Sequence, residues 1–94
     1  MSDQRKKEYI ALGVLQAIGA VGFPRGSETE QSLKANLYAA LDRNDGAREE
    51  SIAEFREAAE LLLGAGSQKV EYIVRTMRDK FDTAPDRSRE RTRS

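Results

Sequence analysis

The chain has 94 residues, and its sixteen basic and sixteen acidic side chains balance to a formal net charge of zero. It contains no cysteine and no histidine, which excludes a disulfide framework, a zinc–thiolate site and the commonest general base of enzymes. We therefore expect one small domain that is not an enzyme and needs no metal or cofactor, with a modest core that a second copy can supplement.

The first predicted helix, from about Asp3 to Gly22, contains the most apolar part of the chain. Between residues 9 and 23 no side chain is charged, and Gln16 interrupts an otherwise apolar run. A helix that is apolar on most of its circumference is either a central core helix or a membrane span. Fifteen helical residues rise about 22 Å, against about 30 Å for a hydrocarbon core. The stretch therefore predicts a core helix.

This helix has two apolar faces when about 100° is allowed per residue. One face consists of Ile10, Val14, Ile18 and Val21, and the other of Leu12, Leu15 and Phe23. Glycine inside a helix costs about 1 kcal/mol relative to alanine, so Gly13, Gly19 and Gly22 indicate that another helix approaches closely. The alternative is that Gly19 and Gly22 end the helix before Pro24.

The basic residues before the apolar stretch are also a feature of signal peptides. However, Asp3 and Glu8 are acidic, and no small-x-small cleavage pattern follows Phe23. We therefore expect a cytoplasmic protein that does not associate with membranes.

The second helix begins at the capping box Ser27-x-x-Glu30, in which serine accepts from the third helical amide and glutamate reaches back. Its apolar stripe is Leu33, Leu37, Ala40 and Leu41. The sequence Asn44-Asp45-Gly46 ends it, because asparagine and glycine tolerate left-handed backbone conformations.

The third helix is predicted from about Ala47 to Leu63, with glutamates outward. Its inward residues are Ile52, Phe55, Ala59, Leu62 and Leu63. Glu50, Glu54 and Glu57 share a face that is typical of solvated surface, with a cation site as the less favoured alternative. Residues 28–60 carry nine acidic and four basic side chains, a local net charge of −5.

The fourth helix, from about Ser67 to Phe81, has the clearest apolar period, and Ser67 is suited to cap it. Its inward residues are Val70, Ile73, Val74, Met77 and Phe81. Residues 83–94 offer nothing to bury and predict a disordered tail. The tail is a candidate for contact with phosphates or an acidic protein surface, because basic side chains alternate at Arg87, Arg89, Arg91 and Arg93.

These segments predict an all-α fold: a compact bundle of about four helices around an apolar first helix, in one domain over residues 1–82, followed by the tail. The third and fourth helices also have features of a helix-turn-helix, with Gly64 at the turn. The fourth helix would then present Gln68, Lys69, Tyr72, Arg75 and Thr76 to a major groove. Against this, the third helix is acidic where it would meet phosphates, and an ordinary helical hairpin explains the same pattern.

Two functions remain open from the sequence. The leading hypothesis is a small helical protein–protein interaction or regulatory module that associates with itself as a homodimer. It depends on the unusually apolar first helix and on the separation of acidic from basic segments. The alternative is a DNA-binding transcriptional regulator that uses the fourth helix.

Overall fold

The computed structural model describes the backbone of residues 2–84 and the side chains of residues 5–84. This part of the chain forms four helices and contains no strand: α1 (Ser2–Ala20), α2 (Glu28–Arg43), α3 (Arg48–Leu63) and α4 (Gln68–Thr83). The predicted all-α bundle is confirmed. Helix α4 continues into the segment that we expected to begin the tail, and Ala84 after it is buried. The rest of the tail lies outside the described residues.

The helices form a closed ring in which each packs against two neighbours. The contact between α1 and α4 is the most extensive, and that between α1 and α2 is the least. Helices α1 and α4 run antiparallel: the Tyr9 Oη and Thr83 Oγ1 atoms lie 3.0 Å apart at one end. At the other end the Lys69 Nζ atom lies 5.4 Å from the centroid of the Phe23 ring.

Each helix contributes one face to a single core. The largest fully buried side chain is Phe55 of α3, and the others come from all four helices. Helix α1 buries the face that carries Ile10, Val14 and Ile18, but Leu12 on its second face is 61% exposed. Helix α1 thus lies beside its neighbours rather than inside them, because only α2 and α4 flank it.

The prediction that Leu62 points inward is wrong. Leu62 is 40% exposed, because it lies in the last turn of α3, at an end of the bundle where the core meets solvent. Leu63 is partly buried against the core, as predicted.

The predicted caps are confirmed at α2 and α4. The Ser27 hydroxyl accepts a hydrogen bond from the Glu30 amide at 3.2 Å, and the Ser67 hydroxyl accepts one from the Lys69 amide at 3.2 Å. The Glu30 carboxylate reaches one residue further back than expected and accepts from the Gly26 amide at 2.7 Å. Both ends of the capping box are therefore satisfied by local hydrogen bonds.

The turn between α2 and α3 uses different residues for its left-handed backbone than we predicted. Asp45 and Gly46 have φ angles of 52° and 74°, whereas Asn44 has a φ angle of −101°. The Gly46 amide donates to the Leu41 carbonyl at 2.9 Å, which is the Schellman pattern of helix ends. Asn44 contributes its side chain instead, and its amide donates to Glu54 at 3.0 Å.

The two interpretations of the α1 glycines each hold at different positions. A Cβ atom at Gly13 would lie 2.5–2.7 Å from three side-chain carbons of Lys80, so close approach is confirmed there. A Cβ atom at Gly19 would meet nothing within 4 Å. Gly22 has a φ angle of 89° and follows the end of the helix. Gly13 therefore makes room for α4, and the later glycines end α1.

Two serines in helix N-terminal turns should respond in opposite directions to alanine substitution. The Ser51 Oγ atom is buried and has no hydrogen-bond partner among the described residues, so Ser51→Ala should raise the free energy of unfolding by about 1 kcal/mol. Ser27→Ala removes a cap and should lower it by about 1 kcal/mol. Urea denaturation measures both, and equal signs would contradict the prediction.

Candidate functional site

The structure places the predicted α4 contact residues on the outside of the bundle. Gln68, Lys69, Tyr72 and Arg75 are exposed, and Thr76 is partly exposed. The other predicted contacts, Arg87, Arg89, Arg91 and Arg93, lie outside the described residues.

The α3–α4 pair does not have helix-turn-helix geometry. In that motif two helices cross at about 90–120° and diverge from the turn. Here they run antiparallel, because the Arg48 Nε atom donates to Asp82 at 3.0 Å far from the turn and the Arg56 guanidinium pairs with Glu71 nearer to it. The hydrogen bond from Arg48 to Asp82 raises the pKa of this guanidinium above its ordinary value. The hairpin interpretation is therefore the correct one.

The outer surface of α4 forms an open groove of about 320 Å³. Its lining residues are Tyr72, Arg75, Thr76, Asp79 and Lys80. The Lys80 ammonium lies 5.7 Å from the centroid of the Tyr9 ring, and the Thr76 hydroxyl donates to the Tyr72 carbonyl at 3.0 Å. The groove offers polar contacts, but its two cations are accompanied by the Asp79 carboxylate.

The opposite side of the bundle, formed by α2 and α3, is acidic. An open groove of about 460 Å³ lies there and includes Glu50, Glu54 and Glu57. Glu54 already accepts from Arg43 at 3.2 Å and from the Asn44 amide, so it belongs to an ion pair. Within residues 5–84 no group of three or more acidic, histidine or cysteine side chains is arranged to hold a metal ion.

The sequence interpretation missed one surface, which we call the α1 outer face. It consists of Leu12, Leu15, Gln16, Gly19 and Ala20. Leu15 is partly exposed and the other four residues are exposed. No charge occurs on this side of α1 between residues 9 and 23. Its signal in the sequence was the second apolar face of the helix, which we had assigned to the core.

The surroundings of the α1 outer face distinguish it from other exposed apolar residues. Tyr38 of α2 and Tyr72 of α4 are half exposed on the two flanking helices. Leu61 of α3 is even more exposed, at 84%, but it follows Glu57 by one turn on an acidic helix. Leu12 is thus the exposed leucine that lies within an uncharged surface.

The remaining comparisons concern the whole chain. Among residues 2–84 no helix combines the length and the hydropathy that crossing a membrane requires. Comparison with protein-family models, curated proteins and solved structures finds no match, so no relative's function transfers to this chain.

Proposed function

We propose that this protein is a small, non-enzymatic, cytoplasmic helical module that binds a protein partner, in a regulatory role, through the α1 outer face. The observation that carries the proposal is the 61% exposure of Leu12 within a run of fifteen residues that has no charge. Exposed apolar patches on small domains typically mark interaction sites.

The apolar character of this face is not needed to close the core. Ile10, Val14 and Ile18 already fill the α1 share of the core and are fully buried, whereas Leu12 and Leu15 point away from it. Burying one leucine side chain contributes roughly 1.5–3 kcal/mol. A face without charges also loses little hydration when a partner covers it, which agrees with the depletion of charged residues at interface centres.

The proposal predicts where a partner crosslinks. A photo-crosslinking amino acid at position 12 should give a covalent adduct in the cells that produce the protein, and one at position 61 should not. The two positions are matched, because both hold exposed leucines on helices and differ in whether charges surround them. Equal adducts at both positions, or none at position 12, would contradict docking through the α1 outer face.

DNA binding through α4 is the second candidate. Four of its predicted contacts, including Arg75, are exposed, and this favours it. A labelled random duplex should then bind at micromolar protein concentration and be released between roughly 50 and 200 mM salt.

In fluorescence anisotropy, Arg75→Ala should weaken that binding, whereas Arg43→Ala on the acidic side should not. Lys69→Ala is a less direct test, because the Lys69 ammonium also lies over the Phe23 ring. The absence of binding at both salt concentrations would eliminate α4 as a DNA reader.

A further inference from the structure

We propose that the occupant of the α1 outer face is a second copy of this chain, docked antiparallel about a two-fold axis that passes near Gln16. The inference rests on the proposed function, because it names the partner of the same surface. It depends on two features of α1: the distribution of large and small residues along its outer face, and the charges at the two ends of that face.

Large and small residues lie at opposite ends of the α1 outer face. Leu12 and Leu15 occupy the first half, and Gly19 and Ala20 the second. When two α1 helices pack antiparallel about Gln16, Leu12 of one copy lies over the partner's Ala20. This allows the helix axes to approach to about 8 Å, the short end of the range for helix packing. A parallel arrangement instead sets leucine against leucine and leaves a gap at the glycines.

Charges of both signs flank the uncharged run at each end. Arg5 and Glu8 precede it, Arg25 and Glu28 follow it, and all four are exposed. The antiparallel arrangement brings Arg5 towards the partner's Glu28 and Glu8 towards the partner's Arg25. A parallel arrangement brings like charges together, and such juxtapositions are unfavourable at an interface. The charges therefore favour the same orientation as the side-chain sizes.

The chain offers a direct test of this orientation, because it has no native cysteine and an introduced cysteine is its only thiol. Disulfides require Cα atoms within about 7 Å. In the antiparallel dimer the two Gln16 positions meet at the axis. The two Ala20 positions are separated along the helices by eight residues, or about 12 Å. Under mild oxidation Gln16→Cys should form a dimer of about twice the 10.5 kDa chain mass.

Under the same conditions Ala20→Cys and the distant control Leu61→Cys should remain monomeric on a non-reducing gel. Efficient crosslinking of both Gln16→Cys and Ala20→Cys would indicate a parallel dimer and overturn the proposal. Crosslinking of none of the three variants would also overturn it.

Sedimentation of the intact chain supplies an independent measurement. We expect a dimer for the wild-type protein, and Leu12→Glu should raise its dissociation constant about 100-fold or more, because the substitution removes an anchor from both copies. Leu61→Glu, a matched change at an exposed leucine outside the interface, should leave it unchanged.

The results also separate failure of this inference from failure of the proposed function. A wild-type monomer at high micromolar concentration, together with a position-12 photo-adduct whose mass is not that of two chains, overturns the second copy and retains a different protein partner. A monomer that gives no photo-adduct at position 12 overturns both.

Discussion

Replacing Phe55 with alanine should lower the free energy of unfolding by about 3–5 kcal/mol. Phe55 is fully buried in the middle of α3 and is the largest of the fully buried side chains. Its removal leaves a cavity that four antiparallel helices cannot fill without moving apart. Stability of about 4–12 kcal/mol is ordinary for a domain of this length, so the variant should lose a large fraction of the total.

Urea denaturation followed by circular dichroism measures this loss, and Phe55→Leu gives a milder variant if the alanine variant does not fold. Leu61→Ala is the matched control in the same helix. Because Leu61 is 84% exposed, its truncation should change the free energy of unfolding by no more than about 0.5 kcal/mol. Similar losses for Phe55→Ala and Leu61→Ala would mean that the core does not centre on Phe55.

Gly13→Ala should destabilise the protein by about 1–3 kcal/mol, although alanine favours a helix interior over glycine by about 1 kcal/mol. The new methyl group would lie 2.5–2.7 Å from the Cγ, Cδ and Cε atoms of Lys80. The Lys80 side chain would have to leave the surface of α1. The ammonium would then lose its position over the Tyr9 ring, where it lies 5.7 Å from the centroid.

A double-mutant cycle identifies the cause of this loss. In a Lys80→Ala background the obstacle is absent, and Gly13→Ala should become stabilising by about 1 kcal/mol because helix propensity alone remains. The coupling between the two positions should therefore fall in the range of about 0.5–3 kcal/mol found for contacting residues. The same loss from Gly13→Ala in both backgrounds would show that Lys80 does not cause it.

Local signals predicted most of the secondary structure. The Ser27–Glu30 box and Ser67 mark helix starts through hydrogen bonds within a few residues, and the α4 period follows from one continuous stripe of buried residues. The turn after α2 was harder, because either Asn44 or Asp45 can take the left-handed conformation. The choice depends on Glu54 of α3, which engages the Asn44 amide.

Long-range packing decided what the sequence could not. Both apolar faces of α1 are plausible core faces, and which one is buried depends on the positions of α2 and α4. The exposure of the predicted α4 residues, such as Arg75, followed from the period of the helix. The crossing of α3 and α4 depends on contacts such as Arg48 to Asp82, which are 34 residues apart and leave no local pattern.

The extensive packing of α1 on α4 has a consequence for the order in which the chain can be connected. The first helix begins and the last helix ends at the same end of the bundle, where Tyr9 and Thr83 are in contact. A short linker can therefore join these ends, with new termini opened in the exposed loop at residues 64–66. Such a circular permutant should keep the core. It should also fold faster than the native order, which must bring α1 and α4 together across the whole of α2 and α3.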